Sequence, residues 1–364
     1  MMLARTRRFL LAAAPALMLA VPGLSSAQPR CISTATAQSA SMTEAQKQEI
    51  QRCVEQQQAG LASEDPAAIR RARDQLEQPL LESGVSIPFR IEYTRQLLPV
   101  LKNLAKNPRD IVAANALHLA GELATPTAAD LLTDTGLRDP RPAVRYAAAY
   151  GLKRAFEQIG ASSSTVFQPS DAQKAIRDIG SVIAQESEPH VLEGCVRALD
   201  AAAAISDSKL RGVRVTAVQV LATELGKRAQ AAKSLDIAPA LIRAGQVLRD
   251  TMNDPREPRL PDQVLKEIGA YGGDLLTVVR RIMASPDAAT DTSELAAVAA
   301  TGENVAFFAA SNLGQTLEQD PTLVQSVRRG DEAGYSRALE RITGPRGVLT
   351  QPPFALPAAR FQAR

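Results

Sequence analysis

Hydrophobic positions in the middle of the chain recur at fixed distances from polar, proline-containing turns. After the turn Asp139-Pro140, apolar or small residues follow at Val144, Ala148 and Leu152. The same spacing follows the turns at Asn107 and Glu186, with Val112, Ala116 and Ala120 after the first and Val191, Cys195 and Leu199 after the second. Residues four apart share one helix face, so each set predicts a helix whose valine and small residue are buried. A supersecondary unit that recurs in this way predicts a solenoid.

Amphipathic segments between the turns predict the partner helices. Arg90–Lys106 carries Leu97, Leu101 and Leu104 on one side, and Pro99 inside it is expected to cause a kink. Thr125-Pro126 predicts the start of a short helix that ends near Gly136. The remaining predicted helices are Thr43–Gln58, Pro66–Leu81, Arg109–Leu123, Pro142–Gln158, Lys209–Lys233, Ile237–Met252, Pro261–Met283, Thr292–Ala300, Glu303–Glu318 and Pro321–Ile342. The chain lacks the Val/Ile/Thr alternation that is typical of strands, so the predicted fold class is all-α.

Two of these stretches resemble HEAT repeats. One is Gln96–Leu101 with the Asn107-Pro108 turn and the Val112 helix, and the other runs from Asp139 to Leu152. The resemblance implies an α-solenoid of antiparallel helix pairs, whose second helices line a concave face. The hand of its superhelix does not follow from the pattern.

The same resemblance implies a polar ladder between repeats, made by the turn Asp and the helix Arg, and Asp139 and Arg145 match those positions. Asn107 and Glu186 replace Asp at the other two turns. Elsewhere Ala113 and Leu192 stand where the family has Arg, so a continuous ladder is not expected. The spacing is also uneven: Val213 follows Val191 by only 22 positions, which is too short for a helix pair and indicates a divergent unit. The resemblance is specific over residues 89–204.

The first 27 residues have the pattern of a secretory signal peptide. Arg5, Arg7 and Arg8 precede the apolar run Phe9–Leu24, and small residues end the segment at Ala27. A membrane anchor is the alternative, but prolines interrupt the run and make it short for a bilayer. We therefore expect export to the periplasm or the extracellular space, with no transmembrane segment after cleavage.

The rest of the chain divides into three predicted regions. Residues 28–84 form an N-terminal segment with two helices, preceded by a disordered or extended stretch over residues 28–41. Residues 85–342 form the helical repeat domain, which becomes irregular after about Asp207. Residues 343–364 form a disordered tail, since prolines at 352, 353 and 357 interrupt any period.

Charge argues against a nucleic-acid partner. The chain has 42 Lys and Arg against 39 Asp and Glu, a net charge of +3. The expected signal peptide holds three of these arginines, so its removal leaves a neutral chain without a field that attracts phosphates. Trp is absent and aromatic residues make up only 4% of the chain, which also argues against base stacking. The predicted partner is a protein, and the oligomeric state does not follow from the sequence.

Residues with catalytic or metal-binding potential are few. The two histidines, His118 and His190, are not spaced as metal ligands, and we interpret them as surface or helix-end residues. Gly272-Gly273 lacks the spacing of a phosphate-binding loop and indicates a helix break. The sequence therefore predicts no catalytic, cofactor-binding or metal-binding residue.

The three cysteines predict one disulfide. Cys31 precedes the first predicted helix and Cys53 lies in the middle of it, and an exported protein folds under oxidising conditions. An unpaired Cys31 in a disordered segment is the alternative. Cys195 occupies the small-residue position of the repeat and is expected to be a buried free thiol.

These observations favour a non-catalytic protein-binding scaffold. Two alternatives stay open: an enzyme whose site lies after Asp207, and a carrier of a small ligand or lipid. If the second helices bind a partner, Tyr146, Lys153 and Arg154 are the candidate contact residues, because they lie off the face of Val144 and Ala148.

Overall fold

A computed structural model of the protein describes residues 30–162, 165–285 and 291–362. The expected signal peptide lies outside these ranges. From Cys31 onward the chain forms one compact unit. In the described ranges the regular structure is α-helix with short 3-10 and π turns, and no strand occurs, which confirms the all-α prediction. None of the described helices combines the length and the apolar character that crossing a bilayer requires.

The helices are numbered in chain order. They are α1 (Thr34–Ala37), α2 (Glu44–Leu61), α3 (Pro66–Glu77), α4 (Ile87–Ala105), α5 (Asp110–Leu123), α6 (Pro126–Asp130), α7 (Pro142–Ala161), α8 (Pro169–Ile183), α9 (Pro189–Ala203), α10 (Val213–Ala231), α11 (Ala238–Met252), α12 (Asp262–Met283), α13 (Thr292–Asn312), α14 (Thr322–Arg329) and α15 (Glu332–Thr343). A π turn, Leu131–Gly136, extends α6.

Successive helices alternate between two layers. The even-numbered helices from α2 to α12, called the first helices, pack on one another, and the odd-numbered helices from α3 to α13, called the second helices, do the same. Each first helix is joined by a short connection to the second helix that packs against it. The molecule is therefore an all-α solenoid of antiparallel helix pairs, as predicted.

The predicted buried register is confirmed. Val112, Val144 and Val191 and the small residues Ala116, Ala148 and Cys195 are all at most 1% exposed. Small residues are needed here because the second helices pack closely. A Cβ on Gly121 would lie 2.7 Å from the Cα of Gly151 on the next second helix.

The unit at Val213 is not a divergent second helix. It begins α10, which packs on α8 and α12 in the layer of first helices. The short distance from Val191 is therefore the step from a second helix to the next first helix, and not a shortened repeat.

Polar side chains close the turns that begin the second helices. The Asp139 carboxylate accepts a hydrogen bond from the backbone N–H of Arg141 (2.9 Å), and Asn107 accepts one from Arg109 (2.9 Å). Such turns satisfy N–H groups that lack helical partners. The Asp139 carboxylate therefore stabilises the turn that contains it.

A ladder connects these turns through Arg109, Arg141 and Arg145. Arg141 donates to the carbonyl of Asn107 in the preceding turn (2.8 Å), and Arg109 donates to that of Ser63 (2.7 Å). Arg145 donates to the Asp139 carbonyl (3.0 Å), while its ion pair is with Glu186 of the next repeat (2.8 and 2.9 Å). Arg145 therefore contacts the acid that replaces Asp in the next turn, while Arg141 holds the Asp139 carboxylate (2.8 Å). At the turns of Ser63 and Asn107, backbone carbonyls accept the arginine hydrogen bonds.

The N-terminal segment is folded from Cys31 onward. Ile32 is buried, and Glu49 of α2 accepts hydrogen bonds from the Ser33 N–H (2.6 Å) and the Thr36 hydroxyl (2.5 Å). A disulfide joins Cys31 to Cys53, with Cα atoms 5.3 Å apart. The described part of residues 28–41 is therefore neither disordered nor extended, and the segment holds three helices instead of two.

The expected disordered tail is also ordered, as far as Gln362. Leu349, Phe354 and Phe361 are at most 3% exposed and pack on α12. Arg360 forms a two-point ion pair with the buried Asp274 of α12 (3.0 and 2.7 Å). The described part of the tail contains only two short 3-10 turns, Val348–Thr350 and Ala358–Phe361, but its irregular chain still docks onto an apolar face.

The glycine pair in α12 lies inside the helix and does not break it. A Cβ on Gly272 would lie 2.8 Å from the carbonyl oxygen of Gly302 on α13, and a Cβ on Gly273 would lie 2.8 Å from the Leu349 side chain. These glycines allow α12 to be covered closely on two sides.

Candidate functional site

The second helices present a continuous polar and aromatic surface, called here the second-helix face. On each helix its members recur at spacings of three and four, which keeps them on one side. They are Arg73 and Glu77 on α3, Asn115, His118 and Glu122 on α5, Tyr146, Tyr150, Lys153 and Arg154 on α7, Glu193, Arg197 and Asp200 on α9, and Arg243 on α11.

Direct contacts join this face from one helix to the next. Arg73 donates to Asn115 (3.1 Å), connecting α3 to α5. Between α9 and α11, the Arg243 guanidinium lies 3.7 Å from the carboxylates of Glu193 and Asp200. The face therefore spans five neighbouring second helices, from α3 to α11.

A buried carboxylate anchors the centre of the face. Glu122 is 0% exposed, and its carboxylate accepts hydrogen bonds from Arg154 Nε (2.5 Å) and from Gln158 (3.1 Å). The carboxylate, together with Glu157, raises the pKa of Arg154 further above its usual value, although burial opposes the shift. Of the three contact residues predicted from the sequence, Arg154 is thus committed to an internal ion pair.

His118 links this anchor to α3. Its Nε2 lies 3.2 Å from a Glu77 carboxylate oxygen, and that hydrogen bond is the main cause of the lowered pKa of Glu77, with burial acting against it. The imidazole also stacks on the Tyr150 ring, with centroids 5.9 Å apart. The histidine is half-buried within the face and does not lie at a helix end.

Glu77, His118 and Glu122 bring three possible metal-ligand atoms within 4.8 Å of one another. No local sequence pattern indicates this group, because its members are far apart in the chain. Cationic side chains hold both carboxylates, however: Arg154 is bonded to Glu122, and Arg73 Nε lies 3.8 Å from Glu77. A metal ion would have to displace them, so we interpret the group as an ion-pair network.

The exposed part of the face is aromatic. Tyr146 is 42% and Tyr150 39% exposed, and they are two of the five large hydrophobic side chains that stay exposed in the described residues. Tyr146 packs on Gly194 of α9, where a Cβ would lie 3.3 Å from its ring. Lys153 Nζ lies 5.6 Å from the Tyr150 centroid and 2.5 Å from Glu157. Tyr150 was missed from the sequence, although its position four after Tyr146 puts it on the same side.

A polar cleft of 690 Å³ lies where the face ends, between α9, α11 and the loop after α11. Its charged lining residues are Asp200, Arg214, Arg243, Asp250, Asp254, Arg256 and Glu257. Burial raises the pKa of Asp200, and nearby Arg243 opposes that shift. Arg256 holds the Asp254 carboxylate at 2.9 Å on both oxygens and lowers its pKa to about 2. Much of the cleft's charge is therefore matched internally.

Three solved structures that resemble this chain are engineered or designed proteins. Two are described as engineered proteins: one has 17% identity over 74% of this chain and 99% of its own, with a TM-score of 0.37, and the other has 14% identity over 74% and 100%, with a TM-score of 0.40. A designed armadillo repeat protein has 17% identity over 70% and 98%, with a TM-score of 0.34. Superpositions this loose say nothing about what this chain binds. No protein-family model and no curated protein matches the sequence.

Proposed function

We propose that this protein is an exported, HEAT-like scaffold that binds a partner protein through the second-helix face. The observation that carries the proposal is the pair of exposed tyrosines at the centre of that face, Tyr146 and Tyr150. Tyrosine is enriched at binding hot spots, because it offers a large contact area with few rotatable bonds.

The surroundings of the tyrosines also favour binding. Tyr146 packs on Gly194, and Tyr150 lies between His118 and Lys153. Both rings are therefore held before a partner arrives, which lowers the entropy cost of association. Repeat solenoids are well suited to such contacts, since neighbouring repeats build one extended surface.

The test is site-specific photo-crosslinking in the native host, with the crosslinker at Tyr150 and, as the matched control, at Leu81. Leu81 is 54% exposed and lies outside the second-helix face. A defined protein adduct is expected from position 150 and not from position 81. The purified partner should then bind the double variant Tyr146→Ala, Tyr150→Ala at least tenfold more weakly than the unchanged protein. Equal crosslinking from both positions, or unchanged affinity of the double variant, would refute the proposal.

The export of the protein is supported by separate observations and can be tested separately from binding. The basic, apolar and small-residue segments of residues 1–27 support it, and so does a cysteine pair that benefits from oxidising surroundings. N-terminal sequencing of the protein from the host's envelope or medium should begin at Gln28. Recovery only from the cytosol with Met1 or Met2 intact would contradict export.

A further inference from the structure

An apolar groove lies on the layer of first helices, away from the second-helix face. Its volume is 740 Å³, and it runs between α4, the start of α6 and the loop before α8. Ile91, Leu98, Pro99, Pro126 and Val166 supply most of its surface, and Ile91 is 51% exposed. Exposed apolar surface of this kind is often an interaction site.

The groove exists because α6 is short. α6 has 5 residues, whereas the flanking first helices α4 and α8 have 19 and 15. Beyond Asp130 the chain enters the π turn, whose Leu131 and Leu132 are buried. The part of α4 that a full-length neighbour would cover therefore stays open.

The open part of α4 is a single stripe. Ile91, Arg95, Leu98 and Lys102 recur at spacings of four and three along it, and Leu98, at 7% exposed, is the least accessible of them. At a rise of about 1.5 Å per residue, the stripe is roughly 16 Å long, or three helical turns. An added helix of about that length would complete the layer.

Both charged residues that line the groove are cations, and its other polar groups are three threonines and the backbone next to Pro99. Arg95 and Lys102 line it, and none of its ten lining residues is acidic. Glu92 already holds Arg95 (2.9 and 2.5 Å), so the uncompensated charge belongs to Lys102, which has no ion pair within the described residues. Pro99 has no N–H, so the Arg95 carbonyl also lacks its usual helical donor.

We propose that this groove binds an amphipathic helix of a partner protein, with its apolar face on Ile91 and Leu98 and a carboxylate at Lys102. A helix fits better than a lipid chain, because small-molecule sites cover most of their ligand and this groove leaves Ile91 half exposed. A helix needs only one face covered. The site is separate from the second-helix face, so the scaffold has two independent docking surfaces.

The experiment is a selection of helical peptides from a displayed library on the full-length folded protein. Enriched peptides are expected to carry apolar residues spaced as one helix face together with Asp or Glu. They should bind at least tenfold more weakly to Ile91→Glu and to Lys102→Glu. Leu81→Glu is the matched control, an exposed apolar residue outside the groove, and should bind normally. A peptide with Lys in place of its acid should regain affinity for Lys102→Glu.

Several results would overturn the proposal. One is a library that yields no binder, or peptides that bind Ile91→Glu as tightly as the unchanged protein. Another is saturable binding of a fluorescent long-chain fatty acid that Ile91→Glu abolishes, which would assign the groove to a lipid. Self-association that Ile91→Glu abolishes would assign it to a second copy of the chain. The Tyr146→Ala, Tyr150→Ala variant should keep peptide binding, so this test is independent of the proposed function.

Discussion

Lys153 and Arg154 are neighbours in the sequence with the same charge, but they differ in the burial of the carboxylates with which they pair. Lys153 pairs with the partly exposed Glu157, whereas Arg154 pairs with Glu122, which is 0% exposed. The charge of Glu122 would lose its compensation without Arg154. A variant in which both charges are reversed would therefore lose stability as well as any contact with a partner, so it cannot test binding by itself.

We predict that Arg154→Glu lowers the free energy of unfolding by about 3 kcal/mol or more, because it leaves a buried carboxylate facing a like charge. Lys153→Glu should change it by less than about 1 kcal/mol, as is typical of partly exposed pairs. Urea denaturation of the two single variants measures both values. Equal effects would contradict the burial of the Glu122 pair.

Two glycines give opposite predictions for the same substitution. Gly121→Ala should destabilise by about 2 kcal/mol, since its new Cβ would lie 2.7 Å from the Gly151 backbone. Gly160→Ala should stabilise by roughly 0.5 kcal/mol, because it lies in α7 with its nearest neighbouring atom at 3.9 Å, and Ala is the better helix former. Thermal unfolding of the pair checks this, and a stable Gly121→Ala protein would argue against the close packing of α5 and α7.

At the residue scale, the sequence predicts the burial of side chains that follow a helical period. It does not predict side-chain contacts between residues that are far apart in the chain. The burial of Val144 and Ala148 follows from helical spacing alone. The internal role of Arg154 does not, because Glu122 lies in another repeat and nothing near Arg154 in the sequence identifies it. For the same reason, the approach of His118 to Glu77 was not predicted.

Among the structural elements, the turns link stability to pH. The hydrogen bonds from Arg141 are the main cause of the lowered pKa of Asp139, which lies below its ordinary value of 3.8. Because the folded pKa is lower than the unfolded one, the stabilisation is complete well above pH 3.8 and is lost as the pH falls through the folded pKa.

We therefore predict that Asp139→Asn lowers stability near neutral pH and converges with the unchanged protein in acid. Asparagine keeps the acceptor for the Arg141 N–H, as Asn107 does in its own turn, but it loses the ion pair. Asp139→Ala should stay less stable at every pH, because it loses both. Denaturation curves from pH 7 down to about pH 3 separate these cases, and a constant difference for Asp139→Asn would show that the charge does not matter.

At the element scale, the helices that carry an N-cap residue and a helical hydrophobic period were predicted well. The capping box at Thr43 begins α2, and Asp65 caps α3. The irregular N-terminal stretch was predicted as disordered or extended and the C-terminal tail as disordered, and both are ordered where the structure describes them. These segments have no periodic hydrophobic pattern. They are ordered because they pack on helices from other parts of the chain, and local sequence patterns cannot predict such contacts.

For the whole molecule, the disulfide predicts a simple thiol count. Cys31 and Cys53 are bridged and Cys195 is fully buried, with its pKa raised to about 12 by that burial. The native protein should show no reactive thiol near neutral pH, and the denatured, unreduced chain should show one. Titration with a thiol reagent under both conditions measures this. Three thiols in the denatured chain would exclude the bridge.

The docked tail changes how the solenoid should open. A repeat array held only by contacts between neighbours frays from its ends, one unit at a time. Here Arg360 returns across 86 positions to Asp274, which also accepts a hydrogen bond from Gln230 on α10 (3.0 Å). The last helices are thereby enclosed in a long-range loop, so α12 to α15 should exchange their amide hydrogens together, as one cooperative block, instead of peeling away in sequence.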